Sequence, residues 1–266
     1  MIEELLPDSV VAVETYGDDG FGDAPLHPEE EAVVARAVAK RRREFAAVRA
    51  CARHAMEKLG VAPQPVLPGA GGAPVWPPGL VGSMTHSDDY CAAALVRATD
   101  IASLGIDAEP HDTLPDDVTP FVALPAEEER LRRLAAERPE LHWDRILFSA
   151  KESVYKAWYP LTGRWLDFTE ADIDLREDPD AASGGLLRTA PDTASDNAFR
   201  AASDTASGSA FRGDPDTASG GVFRAELLVP GPVVAGRRIA AFEGRWAVRR
   251  GLVTTAVVVP RPGAGA

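Results

Sequence analysis

Ile146, Ala150, Val154 and Trp158 recur every four positions and draw one apolar stripe along a single helix face. Trp143 and Leu147 widen the stripe, and the pattern predicts a helix over 141–159 that Pro160 ends. This face must be buried, so the chain is organised around it. Glu152 and Lys156 are also four apart and project from the opposite side. Taken alone, that pair reads either as a solvated ion pair worth roughly 0.3–0.5 kcal/mol or as part of a site.

The 266 residues suffice for one large domain or two modest ones with a sizeable core. A net charge of −13 argues against general binding to nucleic acid or to an anionic membrane, and leaves room for a local basic patch. Cys51 and Cys91 are too few for a disulfide framework or a standard zinc site, and read as small buried residues in a reducing compartment. No basic segment followed by an apolar run stands at the N-terminus, and no apolar stretch approaches the ~20 residues of a membrane span. The expected location is cytoplasmic.

Strands are predicted over 10–16, 90–96, 101–108, 171–176, 245–248 and 252–259. Helical pattern opens at Pro28, with acids in its first turn, and runs to Leu59, allowing for a break. A charged helix covers 125–138. Lys40, Arg41, Arg42, Arg43 and Arg49 cluster within ten positions, as a solvated helix surface or an anion site, since arginine forks match phosphate oxygens. Ser83, Thr85 and His86 sit in what reads as a turn, where they could donate to a phosphate; no nucleophile elbow accompanies the Ser-His pair. Asp107 and Glu109, two apart in a strand, share a face, while Leu104, Ile106 and Ala108 take the other. Paired carboxylates repel unless neutralised, so they suit Mg²⁺, or else mark plain acidic chemistry at a strand end.

A twelve-residue repeat follows: Asp180, Asp192, Asp204 and Asp216 keep the spacing, as do Arg188, Arg200, Arg212 and Arg224. Units rich in Ala, Ser, Asp and Gly bury little apolar surface, so the repeat is expected to be a flexible tandem expansion of a hairpin edge.

Two strand carboxylates, a helical Glu-Lys pair, an arginine cluster and a Ser-x-Thr-His segment suit a metal-assisted reaction on a polyanionic phosphate ester. The segments Gly105-Ile106-Asp107-Ala108-Glu109 and Phe148-Ser149-Ala150-Lys151-Glu152-Ser153-Val154-Tyr155-Lys156 resemble the paired signatures of the 4'-phosphopantetheinyl transferases, (V/I)G(I/V)D-x-E and F(S/C)-x-KE-(S/A)-x-x-K. The likeness extends to 40–49, Trp76-Pro77, 83–86 and Trp143-Asp144-Arg145, and is nearest the Sfp/EntD group with its actinobacterial PptT-like members.

The resemblance implies an α/β (α+β) 4'-phosphopantetheinyl transferase fold of two similar halves related by a pseudo-twofold axis, each an antiparallel sheet with a packed helix. The halves are expected at 1–100 and 101–260, with the repeat inserted at 179–220 and a disordered tail at 261–266. It implies transfer of the phosphopantetheine arm of coenzyme A to a serine of an apo acyl or peptidyl carrier protein by a monomer. Asp107, Glu109 and Glu152 would hold Mg²⁺, or Mn²⁺. Glu152 would serve as base, Lys156 would assist the leaving phosphate, and Lys151 would contact the pyrophosphate. Arg41, Arg49, Ser83 and His86 would bind coenzyme A phosphates. Close family members carry lysines in the loop before the Trp-Pro pair; here 67–74 has none, which implies weaker coenzyme A binding. Arg130, Arg132, Arg133 and Arg145 are candidates for carrier docking. The rival readings are a magnesium-dependent phosphodiesterase or nucleotidyl transferase, and a non-catalytic module that binds carrier protein.

Overall fold

A computed structural model describes residues 1–17, 21–115, 117–178 and 219–261. The chain opens with β1 (Val11–Tyr16), α1 (Pro28–Val34) and α2 (Ala39–Lys58). A small hairpin of β2 (Leu67–Pro68) and β3 (Pro74–Val75) leads to β4 (Leu80–Ser87) and β5 (Tyr90–Arg97). The strands β1, β5 and β4 form an antiparallel sheet in that order. Ala93 and Leu95 of β5 face α2, meeting Cys51, Ala52, Ala55 and Met56. Ala92, Ala94 and Val96 face the other way, which explains why β5 reads as an unbroken apolar run.

After the first sheet come β6 (Ile101–Pro110), α3 (Thr119–Val122), α4 (Pro125–Glu137), α5 (Trp143–Thr162), β7 (Ala171–Glu177) and β8 (Ser219–Leu227). A second small hairpin, β9 (Val233–Val234) with β10 (Arg237–Arg238), precedes β11 (Ala241–Arg249) and β12 (Leu252–Pro260). The order β6-β12-β11-β8-β7 makes a five-stranded antiparallel sheet. The apolar stripe of α5 is fully buried on it: Ile146, Ala150, Val154 and Trp158 pack with Ile173, Phe223, Trp246 and Val257. Leu104, Ile106 and Ala108 face the first sheet and join Ala92, Ala94 and Val96 in a core between the two. The antiparallel sheets, each bearing a packed helix, have the mixed architecture that the sequence resemblance implies.

Gly105 sets the approach of α5 to β6. A Cβ there would lie 2.0 Å from the Ser153 carbonyl oxygen, so only glycine admits the helix this close. Ser103 Oγ adds a hydrogen bond to the Ala157 carbonyl at 2.6 Å. The contact brings the turn from Glu152 to Lys156 beside Asp107.

Two expectations change. Helix α5 runs through Pro160 to Thr162 and stops at Gly163, whose left-handed φ of 62° closes it with a bond from Gly163 N–H to Tyr159 O. A proline this near the end removes one donor and leaves the stop to the glycine. The segment 83–87 is part of a strand, paired residue by residue with β5. Its hydroxyls cap the free edge of β6: Ile106 N–H donates to Ser83 Oγ at 3.0 Å and Ala108 N–H to Thr85 Oγ1 at 3.1 Å. Side chains here do what a neighbouring strand would do.

The pairing of β7 with β8 runs to Glu177 opposite Gly221, and Asp178 N–H bonds to Gly220 O. The repeat is therefore inserted between two adjacent antiparallel strands, and β8 starts inside its fourth unit. The expected flexibility of 179–218 and disorder of 262–266 lie outside the described residues.

Candidate active site

Asp107 is the centre of the polar cluster, and it is almost wholly buried. Its Oδ1 accepts Lys156 Nζ at 2.7 Å and Thr85 Oγ1 at 3.4 Å; its Oδ2 accepts Ser149 Oγ at 2.8 Å. Ser149 is fixed in turn by Thr255, whose Oγ1 donates to the Ser149 carbonyl at 2.8 Å. The carboxylate is therefore held by β4, α5 and, through Ser149, β12.

Lys156 also donates to the Ile106 carbonyl at 3.1 Å. It does not pair with Glu152, its helical neighbour: the four-residue spacing places both at the cleft, and the ammonium turns to the strand. Among the described residues no hydrogen bond or ion pair holds the Glu152 carboxylate. Burial, then the nearby charge of Asp107, pushes its pKa up, against the pull of Lys156. Glu109, next on the same strand face, is raised to about 7 by burial and by Asp107, although Arg145 Nη1 donates to it at 3.0 Å. The same guanidinium binds the Asp112 and Thr113 carbonyls and so fixes the chain after β6.

Across the cleft, Arg41 Nη1 lies 2.5 Å from His86 Nε2, and Glu44 lies 3.9 Å from His86 Nδ1. Burial and the arginine charge hold the His86 pKa down, so the ring is neutral at Nε2 and accepts from Arg41. Beside Glu152 opens a cavity of about 150 Å³, walled by Tyr155, Trp165, Leu166 and Phe168.

The site thus gathers Asp107, Glu109, Glu152 and Lys156 from the second sheet and its helix, with Arg41 and His86 facing them. Three other expected site residues are engaged within the protein, although Lys151 also lines the cavity beside Glu152. Lys151 Nζ spends all three of its donors inside the protein, on Glu127 at 2.7 Å and on the Phe168 and Ala171 carbonyls. Arg49 is buried, bonds to the Val66 and Phe45 carbonyls, stacks on the Phe45 ring and lies 4.0 Å from Glu30. Burial lowers its pKa to about 10. Ser83 is buried and its oxygen is taken by Ile106 N–H. The sequence reading also missed Ser149 and Thr255 as supports of Asp107. Ser149 lay in plain view inside the helix motif; Thr255 gave no local signal.

The donor set suits a divalent cation. Burial, then the charge of Asp107, pushes up the pKa values of Glu109 and Glu152, and a divalent ion on these hard carboxylate oxygens would relieve both. Among the described residues Asp107, Glu109 and Glu152 are not already gathered into a three-ligand cluster, because Lys156 and Arg145 hold two of them. Mg²⁺ takes one or two protein carboxylates and completes its shell with water and phosphate, so the residues fit it by chemistry.

Known proteins agree with this picture. A profile of the 4'-phosphopantetheinyl transferase N-terminal domain matches residues 29–96, and one of the 4'-phosphopantetheinyl transferase superfamily matches 103–202. The two matches adjoin where the first sheet gives way to the second. The chain is 50% identical over 268 residues to the 4'-phosphopantetheinyl transferase Svp of Streptomyces mobaraensis, covering 98% of this chain and 90% of the relative. It is 40% identical over 262 residues to PptT of Mycobacterium tuberculosis, covering 97% and 98%. It is 41% identical over 259 residues to Npt of Nocardia iowensis, covering 97% and 99%. This chain belongs to the 4'-phosphopantetheinyl transferases, enzymes that move a phosphopantetheine arm onto carrier proteins.

Proposed function

We propose that the donor is coenzyme A, that the acceptor is the serine of an apo acyl or peptidyl carrier protein, and that Glu152 is the base. The observation that carries this reading is the unpaired, half-buried Glu152 carboxylate, which lines a cavity and whose pKa burial and Asp107 push up. A base needs a free lone pair and a proton affinity above that of an ordinary exposed carboxylate. The serine oxygen attacks the β-phosphorus of the pyrophosphate as Glu152 accepts the serine proton. The bond from that phosphorus to the bridging oxygen breaks, and adenosine 3',5'-bisphosphate leaves. Lys156 carries positive charge to the leaving phosphate, and Arg41 with His86 is suited to the nucleotide phosphates. Mg²⁺ or Mn²⁺, when bound by Asp107, Glu109 and Glu152, would neutralise the pyrophosphate. Arg49, Ser83 and Lys151 hold the frame.

No helix among the described residues is long and apolar enough to cross a membrane, and both cysteines are free and buried. Both facts fit a cytoplasmic enzyme. Incubation with coenzyme A, Mg²⁺ and apo carrier proteins, read by intact mass, should show the carrier gaining one phosphopantetheine. A phosphodiesterase would consume coenzyme A and leave the carrier mass unchanged. Glu152→Gln should lower turnover by ~10²–10⁴-fold with an unaltered melting temperature. Full activity in that variant would remove Glu152 from its role.

A further inference from the structure

We propose that Ser149, with Thr255 behind it, is a positioning residue: it ties one oxygen of Asp107 into the core, leaves the other alone to face the cleft, and so sets the affinity and the choice of divalent cation. The inference rests on the reading that Asp107 is a ligand of that cation.

The relay joins three elements. Thr255 of β12 stands opposite Asp107 of β6 in the strand register, so the two side chains share the sheet face on which α5 lies. Ser149 of α5 and Thr255 are both fully buried. Each hydroxyl carries one proton, and this fixes the direction of the relay. The Thr255 proton goes to the Ser149 carbonyl at 2.8 Å. In the 3.0 Å contact between the two hydroxyls, Thr255 is therefore left to accept. Ser149 Oγ lies closer still to Asp107 Oδ2, at 2.8 Å, and a carboxylate is the stronger acceptor, so the serine proton points at Asp107.

The consequence falls on the other oxygen. The last torsion of an aspartate is broad and two-fold, so either oxygen of a free carboxylate can turn to the cleft. The bond to Ser149 removes that choice. Oδ1 alone is left on the cleft side, where Lys156 Nζ at 2.7 Å and Thr85 Oγ1 at 3.4 Å hold it. One fixed oxygen suits Mg²⁺, which demands a near-octahedral shell, whereas Ca²⁺ takes carboxylates through one oxygen or both in an irregular shell. Packing does not call for these hydroxyls. Ala150 beside Ser149, and Val253 and Val257 on either side of Thr255, fill the core with apolar groups that leave nothing to satisfy.

Cation binding without carrier protein separates positioning from packing. Mn²⁺ added to the purified chain with coenzyme A is followed by its electron paramagnetic resonance signal, and Mg²⁺ and Ca²⁺ by their displacement of it. Ser149→Ala should weaken Mn²⁺ and Mg²⁺ binding about tenfold, the scale of loss when the partner of a ligating group is removed. Ca²⁺ binding should weaken by no more than about threefold, so the preference for Mg²⁺ narrows. Thr255→Val should act in the same sense but less, because Ser149 keeps its bond to Asp107. Ser149→Cys, with a weaker donor, should fall between the alanine variant and the parent. Turnover of Ser149→Ala should return to within about threefold of the parent at saturating Mg²⁺, since mass action restores a site lost only in affinity. A lowered melting temperature with parent-like Mn²⁺ and Mg²⁺ affinities in Ser149→Ala would overturn the proposal. Should that variant not fold, parent-like affinities in both Ser149→Cys and Thr255→Val would do so. An equal loss for all three cations would overturn the claim on cation choice. A parent that binds no Mn²⁺, with coenzyme A or without it, would instead sink the cation reading and the proposal with it.

Discussion

Each half of the molecule rests a twenty-residue helix on an antiparallel sheet and fastens it with one buried glutamate. Glu30 is the third residue of α1 and Glu127 the third of α4, both helices led by proline. Each closes its own helix start, through His27 N–H at 3.0 Å and Leu124 N–H at 2.7 Å. Each also accepts a backbone N–H from the chain beyond the long helix, Val66 at 2.8 Å and Ile173 at 2.7 Å. Each finally holds a cation of that helix: Arg53 at 3.0 Å with Arg49 at 4.0 Å in one half, Lys151 at 2.7 Å in the other. The framework is the same, yet the chemistry differs. Helix α2 offers Arg41 to His86, whereas α5 turns Glu152 and Lys156 toward Asp107. One half supplies a guanidinium and an imidazole, the other carboxylates and an ammonium.

The largest effect expected from this comparison is at Lys151. If it is the counterpart of the Glu30-bound arginines, Lys151→Met leaves Glu127 buried without its cation and costs about 3–5 kcal/mol of stability. Chemical denaturation should show that loss, while turnover of the folded fraction stays within about threefold. A normal denaturation midpoint with collapsed turnover would return Lys151 to the phosphates and end the parallel. Arg49→Met should cost less, because Arg53 still serves Glu30.

A smaller effect tests the seam between the halves. Ser83→Ala removes the acceptor of Ile106 N–H and should cost about 1–3 kcal/mol, with KM for coenzyme A unchanged. A raised KM at unchanged stability would mean that Ser83 serves the ligand and not the seam.

These residues also mark what a sequence makes legible. The stripe on α5 and the alternation through Asp107 and Glu109 could be read directly, because a helix and a strand impose fixed periods on burial. Ser83 and Thr85 were misread as a turn because their hydroxyls are used by an edge strand from the other half, a long-range contact without local pattern. Lys151 and Arg49 carry an ambiguity of a related kind. A lysine in a motif carries the same charge whether it faces phosphate or a buried glutamate. The available signal was the partner: Pro28-Glu29-Glu30 and Pro125-Ala126-Glu127 both place a glutamate third in a proline-led helix.

The subtlest consequence is in pH dependence, where Glu109 of the second half and His86 of the first should pull in opposite directions. Glu109 titrates near 7 in the fold, against an ordinary value of 4.5. Between those values the folded chain binds more protons than the unfolded one, so its contribution to stability falls as pH rises from about 4.5 to about 7. His86 is shifted down from 6.5, so the folded chain binds fewer protons there and its contribution rises with pH through that window. His111, held down to about 4 by burial, acts in the same sense as His86. Urea midpoints of the metal-free parent and of Glu109→Gln, taken from pH 4.5 to 8, isolate the carboxyl term, because both proteins keep their histidines. The parent should lose stability relative to the variant across that range, with most of the change complete by about pH 7.5. His86→Gln compared with the parent should give a slope of opposite sign. A parent-minus-variant difference that is flat with pH at Glu109 would mean that Arg145 fully neutralises it, and that the second half carries no excess negative charge for a cation to relieve.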